Sequence, residues 1–288
     1  MQVKQTLNNS VKGLIGLTSP KTAIRLRYFH GFKRFPDLKN PKTFNEKINA
    51  YKFMGDRYNF AHFADKVAVK EFVAQKIGVE HVIPTLYAGE TLPPRAERNW
   101  PLPYVIKMNH GSGWNIMVRT EAERNWDVIE KKIAKWSKQT FGRDTGEVHY
   151  SKIKPQVLVE EFISTEPGVL PKDYKIFVFN GKTEFIEVIA DREHNHAACF
   201  YNTAWQKLNF SLSDSKPYAG EIEKPATMDK MIQLAEVLAA DFPFVRVDFY
   251  DINGHLYLGE MTLTPSAGFA KFTPSSYDIL YGQKLTLV

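Results

Sequence analysis

Two Asn-Gly pairs limit what this chain can fold into more than any other feature. They sit in "DYKIFVFNGKTEFIEVIAD" (173–191) and "FVRVDFYDINGHLYLGEMT" (244–262), each between runs rich in β-branched and aromatic residues. Asn-Gly supplies the positive-φ positions that hairpin turns require, so both stretches read as antiparallel hairpins. Helical patterns come earlier. "SPKTAIRLRYFHGFKRF" (19–35) offers Ser19 as N-cap and Pro20 at the first helical position. "NPKTFNEKINAYKFM" (40–54) opens on a capping box, Thr43 with Glu46. "FADKVAVKEFVAQKIG" (63–78) reads as one helix closed by Gly78, residues 121–139 as a surface helix, and "ATMDKMIQLAEVLAADF" (226–242) as an amphipathic helix. Short strands are expected at 82–89, 102–108, "WNIMV" and 156–163, and a loop at 141–152. Regular strand–helix alternation is missing, so the expected class is α+β rather than a doubly wound parallel sheet. The 288 residues fit two small α+β units behind a helical N-terminal region.

The net charge of +6 fits an anionic small substrate such as a nucleotide, and nucleic acid is not an expected partner. In the basic first helix, Lys21, Arg25, Arg27, Lys33 and Arg34 read either as a solvated face or as a contact for anionic lipid or glycan. A single cysteine, Cys199, allows no disulfide framework and points to a reducing compartment. "VKGLIGL" (11–17) is too short for a signal h-region with a cleavage site, and no segment reaches the roughly 18 apolar residues of a membrane span, so a cytoplasmic location is expected.

Chemistry concentrates in the second hairpin. Arg246, Asp248 and Tyr250 alternate with the apolar Val245, Val247 and Phe249. A five-residue loop from Asp251 to His255 would pair Tyr250 with Leu256 and set Arg246 opposite Glu260, with Asp248 diagonal to it and Thr262 on the same face. A one-residue slip would separate Asp248 from Glu260. Taken alone, that face reads as a cross-strand Arg–Glu pair on a solvated sheet or as oxygen ligands for Mg²⁺. The following "TLTPSAGF" (262–269) makes a loop suited to substrate contact, with Ser266 and Gly268 in it. Arg192 reads as a phosphate or substrate contact, and "HNH" (194–196) as a polar loop.

A second concentration is "VIKMNHGSGWN" (105–115), where an apolar run ends in Lys107 and a loop holds Gly111, Ser112 and Gly113. No Gly-Lys-Ser/Thr follows, so this is not a Walker loop, and the third glycine of a dinucleotide fingerprint is missing. Trp114 reads as a packing residue for the loop or as a platform for stacking a sugar, with packing preferred.

These motifs in order, "DK" (65–66), "VIKMNHGSG" (105–113), "VLVEEFI" (157–163), "DYKIFVFNG" (173–181), "VRVDF" (245–249) and "YLGEMTLTPSAG" (257–268), resemble the ATP-grasp superfamily. "KTFNEKI" (42–48), "IPTL" (83–86) and "DYKIFVFNGK" (173–182) look like its TupA-like branch, associated with teichuronopeptide and other bacterial surface-polysaccharide or capsule synthesis. The resemblance implies ATP between two α+β subdomains, drawn here as 63–160 and 161–288 behind the helical region 1–62. It implies Lys107 and Lys66 at the phosphates beneath the Gly111–Gly113 loop. Glu160, Glu161, Phe162 and Ile163 would form a hinge beside adenine, with Asp173 on the ribose and Lys175 near the phosphates. Asp248 and Glu260 would ligate Mg²⁺, and Arg246 would stabilise the transferred phosphoryl group. Thr262 stands where the superfamily usually has Asn, which weakens the second metal's ligation. The implied activity is an ATP-dependent carboxylate–amine ligase working through an acylphosphate. Its expected substrates are a uronic-acid-type carboxylate of a glycan or its precursor and an amino acid or other amine, with peripheral association with membrane-bound glycan machinery. The alternatives are a kinase acting on a sugar hydroxyl and a non-catalytic nucleotide-binding module.

Overall fold

Capping decides where the first helices begin. In the computed structural model, which describes residues 13–165, 169–191, 197–213, 216–218 and 220–287, helix α1 (Pro20–Phe32) starts at Ser19, whose hydroxyl accepts from the Thr22 N–H. Helix α2 (Phe44–Tyr51) starts on the reciprocal Thr43–Glu46 box. The stretch expected as one helix from 63 to 78 is two, α3 (Phe60–Ala64) and α4 (Ala68–Ile77). Asp65 makes the break. Its backbone is extended, and its Oδ1 accepts from the N–H groups of Val67 (2.9 Å) and Ala68 (3.3 Å). A side chain that takes amides in this way competes with helix continuation. The break leaves Lys66 on a corner rather than on a helix face.

A four-stranded antiparallel sheet follows, with strands β1 (Thr85–Gly89), β2 (Tyr104–Met108), β3 (Asn115–Val118) and β4 (Val157–Glu161) in the order β1-β4-β2-β3. Helix α5 (Trp126–Trp136) covers one face, burying Ile129 and Ile133 against Tyr104, Ile106 and Val159. The expected loop at 141–152 contains two short 3-10 turns.

The larger sheet comprises β5 (Asp173–Phe179), β6 (Lys182–Asp191), β7 (Ala197–Tyr201), β9 (Lys216–Pro217), β10 (Phe244–Ile252) and β11 (His255–Thr262), ordered β11-β10-β5-β6-β7-β9. A small ladder joins β8 (Ser211–Leu212) to β12 (Phe272–Thr273). Helix α6 (Met228–Ala239) contributes Met231, Ala235 and Leu238 to the large core, and α7 (Ser276–Lys284) contributes Tyr281. Phe44, Ile48 and Tyr51 of α2, and Val69 and Val73 of α4, belong to the same core. Neither β7 nor α7 was legible. All five residues of β7 are buried, which removes the alternation that marks a strand. Helix α7 has no side-chain cap and contains Gly282, where an added Cβ would lie 2.1 Å from the Lys42 carbonyl oxygen.

Both Asn-Gly turns form as expected, with φ of 48° and 78° at Asn180 and Gly181, and 54° and 86° at Asn253 and Gly254. The second turn is tighter than the five-residue loop of the sequence reading. Ile252 pairs with His255, and Tyr250 with Tyr257 rather than Leu256. A bulge between Asp248 and Phe249 then shifts the pairing, so that Asp248 faces Glu260 directly and Arg246 faces Thr262, not Glu260. Gly259 lies in the bulged stretch, where a Cβ would sit 3.0 Å from the Tyr250 ring. The first hairpin carries a bulge as well, between Phe177 and Val178, beyond which Lys175 pairs with Glu187.

Candidate functional site

Alternation along β2 buries Tyr104, Ile106 and Met108 and leaves Val105 and Lys107 on the opposite face. Glu160 of β4 pairs with Val105 and therefore shares that face, diagonal to Lys107. Its two oxygens divide between two lysines: Oε2 lies 2.5 Å from Lys107 Nζ, and Oε1 2.5 Å from Lys70 Nζ of α4. Glu160 is 4% exposed. Burial opposes its charge, yet the two ammonium groups win and hold the carboxyl below its ordinary value. Burial likewise opposes the charge of Lys107, and Glu160 more than compensates, raising its pKa.

The glycine loop is fastened at its root by Asn109, which is fully buried. Its Nδ2 donates to Asp65 Oδ1 and to the Lys154 carbonyl, both at 3.0 Å, and its Oδ1 accepts from Gln156 N–H at 2.7 Å. The helix break and the loop are thereby tied together, and Lys66 sits at the knot, with Nζ donating to the Gly111 carbonyl at 2.5 Å. Among the described residues no carboxylate lies within ion-pair distance of Lys66. Burial holds its pKa below the lysine value, Glu260 partly offsets that, and Lys107 adds to it. Such a cation gains from an incoming anion. Gly111 has to be glycine because a Cβ there would meet the Trp114 ring at 2.6 Å. Trp114 itself packs against His110 and Phe141. Ser112 and Gly113 form the exposed tip.

Across from these, the large sheet presents one row of charges over four strands. Glu187 pairs with Lys175, Lys175 with Asp248, and Asp248 with Glu260. Lys175 Nζ donates to Asp173 Oδ2 (2.6 Å) and Asp248 Oδ2 (2.7 Å). Arg246 clamps Asp248 through Nε and Nη2, each at 2.7 Å, and Nη2 also reaches Thr262 Oγ1 at 3.0 Å. Asp248 is buried, which works against its charge, but Arg246 and then Lys175 keep it ionised with a lowered pKa. Glu187 is pushed up to about 7 by burial, against the pull of Lys175 and Arg246.

The two sheets enclose a cleft of about 1410 Å³ including its open mouth. Lys66, Lys107, Ser112 and Gly113 line it from one side; Asp173, Lys175, Asp248 and Glu260 line it from the other. Glu161, Phe162 and Ile163 line its far end together with Val105 and Met117. One end is therefore charged and the other largely apolar. Glu160 lines a smaller adjoining cavity with Lys66, Lys70 and Lys107. Arg246 and Thr262 are not among the lining residues, but Arg246 Nη2 lies 3.5 Å from Oε2 of Glu260, which is one of them. Ser266 is exposed, and Gly268 is buried with its carbonyl accepting from Asn49 Nδ2 at 2.6 Å. Arg192 and residues 194–196 lie outside the described residues.

A family model described as TupA-like ATPgrasp matches residues 46–286. The chain belongs to that family. Among solved structures, an L-amino acid ligase from Bacillus licheniformis is similar at 11% identity and a TM-score of 0.50, over 81% of this chain and 53% of that one. A D-alanine–D-alanine ligase from Bacillus anthracis is similar at 16% identity and a TM-score of 0.46, over 77% of this chain and 66% of that one. The chain thus spans about half to two thirds of the length of these structures. No curated protein matches it in sequence. The fold is the ATP-grasp fold, built as α+β with sheets that are antiparallel except where β9 pairs with β7.

Four residues that the geometry places around the cleft went unread in the sequence: Asp65, Lys70, Asn109 and Glu187. Asp65 and Asn109 fall inside the motifs "DK" and "VIKMNHGSG" without an assigned role, and nothing local marks Lys70 or Glu187. Among the described residues no group of three or more His, Cys, Asp or Glu side chains is poised to hold a metal. None of the described helices is long and apolar enough to cross a membrane.

Proposed function

We propose that this protein is an ATP-dependent ligase that joins a carboxylate to an amine through an acylphosphate. The observation that carries the reading is the row Glu187–Lys175–Asp248–Glu260 facing Lys66 and Lys107 across one cleft. Cations from both sheets converge on its charged end, which suits a polyphosphate, while the apolar end beside Val105, Phe162 and Ile163 suits a flat base. In this reading Lys107 from the small sheet and Lys66 from the corner between α3 and α4 bind the phosphates, and the tip at Ser112 and Gly113 closes over them with backbone N–H groups. Glu160 holds Lys107 in place, and backbone at Glu161 to Ile163 reads the adenine edge. Asp173 takes the ribose hydroxyls. The proposed subdomains, 63–160 and 161–288, have their boundary inside β4, and the chain crosses from the small sheet to the large one after Glu161 and before Asp173.

The carboxylates present fit Mg²⁺ in one particular mode. Magnesium is commonly held by one or two carboxylates plus substrate phosphates rather than by an all-protein cage. Asp248 and Glu260, opposed in register, supply such a pair, and Thr262 offers a hydroxyl beside them. When bound, the ion would draw charge from the phosphate oxygens. Lys175, in the cleft lining, would meet the phosphates, and Arg246 would orient Asp248 and stabilise the phosphoryl group in transfer. The chain's share of the chemistry is positioning and electrostatics, without a covalent nucleophile of its own.

For substrates we propose a uronic-acid-type carboxylate of a bacterial surface polysaccharide or its precursor, and an amino acid or other amine. Ser266 and Gly268, and Arg192, are assigned to the acceptor side. Work at a glycan precursor implies peripheral contact with membrane-bound glycan machinery from the cytoplasm, where ATP is available. The test is ADP and phosphate release with Mg-ATP over a panel of uronic acids and amines, with mass spectrometry of the product. Turnover that requires both carboxylate and amine and yields an amide supports the ligase. Phosphate retained on the acceptor without any amine makes it a kinase, and no turnover over the panel with tight ATP binding makes it a binding module.

A further inference from the structure

The excess positive charge of this protein is segregated. Residues 1–36 hold seven Lys and Arg and no Asp or Glu, leaving 31 basic against 32 acidic residues in the remainder. This segment precedes the family match at 46–286. Helix α1 sorts its cations into two sets. Arg27 and Arg34 are engaged by the protein itself: Arg27 meets Asp144 at 3.4 Å and lies over the Phe269 ring, and Arg34, though exposed, is paired with Glu46. Lys21, Arg25, His30 and Lys33 point outward and are exposed, and among the described residues no carboxylate lies within ion-pair distance of them.

Large apolar side chains share that outer face. Leu26 is 42% exposed, Phe29 46% and Phe35 51%. Phe29 and Phe35 stack on each other with ring centroids 4.9 Å apart, and the Arg25 guanidinium sits 5.0 Å from the Phe35 centroid. Cations spaced around protruding aromatic and aliphatic groups match an anionic bilayer: the rings enter the headgroup–acyl boundary and the basic heads meet lipid phosphates. Nucleobases would find fewer ring faces open for stacking, because the two phenyl rings already cover each other.

We propose that the outer face of α1, through Lys21, Arg25, Leu26, Phe29, Lys33 and Phe35, seats this protein on an anionic lipid bilayer. Docking stands independently of the nucleotide reading. It also bears on that reading, because Tyr28 and Arg27 pack on Phe269, at the end of the loop that follows β11. A docked α1 therefore holds that loop on its inner side, about one helix diameter (~10 Å) from the membrane surface, within reach of an acceptor carried on a lipid.

The test is co-sedimentation of the full chain with vesicles containing about one-third phosphatidylglycerol in phosphatidylcholine, and with pure phosphatidylcholine. Binding to the anionic vesicles alone is expected, weakening as salt rises. The combined variant K21Q/R25Q/K33Q should bind about a hundredfold more weakly, and Phe29→Ser with Phe35→Ser should weaken binding at unchanged salt dependence. Both variants are checked for wild-type circular dichroism and thermal midpoint, and single substitutions replace any that unfolds. Vesicle binding that is absent in the wild type, or unchanged in both variants, overturns the proposal. So does capture of a soluble polyuronate or RNA with no vesicle binding. ATP turnover measured without vesicles reads the nucleotide site separately.

Discussion

Glu160→Gln tests the charge arrangement at a buried point where one carboxylate meets two lysines. The substitution keeps the shape and a hydrogen-bond acceptor but removes the one anion between Lys70 and Lys107, each 2.5 Å from it. At a charge separation of about 3 Å and an effective dielectric constant of about 20, each pair is worth about 5 kcal/mol. Repulsion between the two lysines and the several kcal/mol of desolvation carried by the carboxylate offset much of that sum. Breaking a buried pair from one side typically leaves a net loss of about 3–5 kcal/mol. Urea unfolding followed by tryptophan fluorescence at neutral pH should show a loss of that size. Lys70→Met in the same background should restore part of it, a non-additivity above about 1 kcal/mol. The pH dependence has a definite sign. Because the folded pKa of Glu160 is lowered, its contribution is complete above the unfolded value near 4.5 and is lost as pH falls through the folded one. The difference between wild type and variant should therefore shrink in acid. A loss below about 1 kcal/mol at neutral pH, or strict additivity with Lys70→Met, would refute the reasoning.

Three further outcomes are expected. Gly259→Ala forces a Cβ to within 3.0 Å of the Tyr250 ring and should cost about 1–3 kcal/mol in thermal unfolding, relieved by Tyr250→Leu; a wild-type midpoint would show that the bulge does not need glycine. Glu187, with a folded pKa near 7 against 4.5 unfolded, holds an extra proton in the folded state across that window. Stability should fall as pH rises through it, by up to about 1.4 kcal/mol per pH unit, and Glu187→Gln should flatten the profile; an unchanged profile would count against the buried carboxyl. Amide exchange at residues 110–114 should slow about tenfold on adding Mg-ATP, since a covering loop must open for release; core-level protection in the free protein would remove the covering role.

The two hairpins explain what the sequence made readable and what it hid. The Asn-Gly pairs announced both turns, and alternation then assigned faces. The face of Arg246, Asp248, Glu260 and Thr262 came out right although the pairing did not. A five-residue loop gives partners that differ from the observed ones by two positions at Asp248 and Arg246, one from the tighter turn and one from the bulge. Each step alone would turn Glu260 to the other side of the sheet, and together they cancel. Gly259 was the visible mark of that bulge, since glycine inside a strand signals a bulge or a close approach. The first hairpin has no such mark. Its bulge puts Glu187 beside Lys175, whereas unbroken pairing from the turn would place Ile186 there. Beside that bulge the Thr183 N–H is taken by Glu236 of α6 at 2.9 Å, a partner 53 residues away. Asn109 and Asp65 were hidden for the same reason, since their bonds join segments 44 residues apart. Local pattern therefore reached the side chains whose placement follows from one strand and one turn. It missed those whose placement depends on a distant group satisfying an irregular backbone, and in this protein the latter include the carboxyl that completes the charged row.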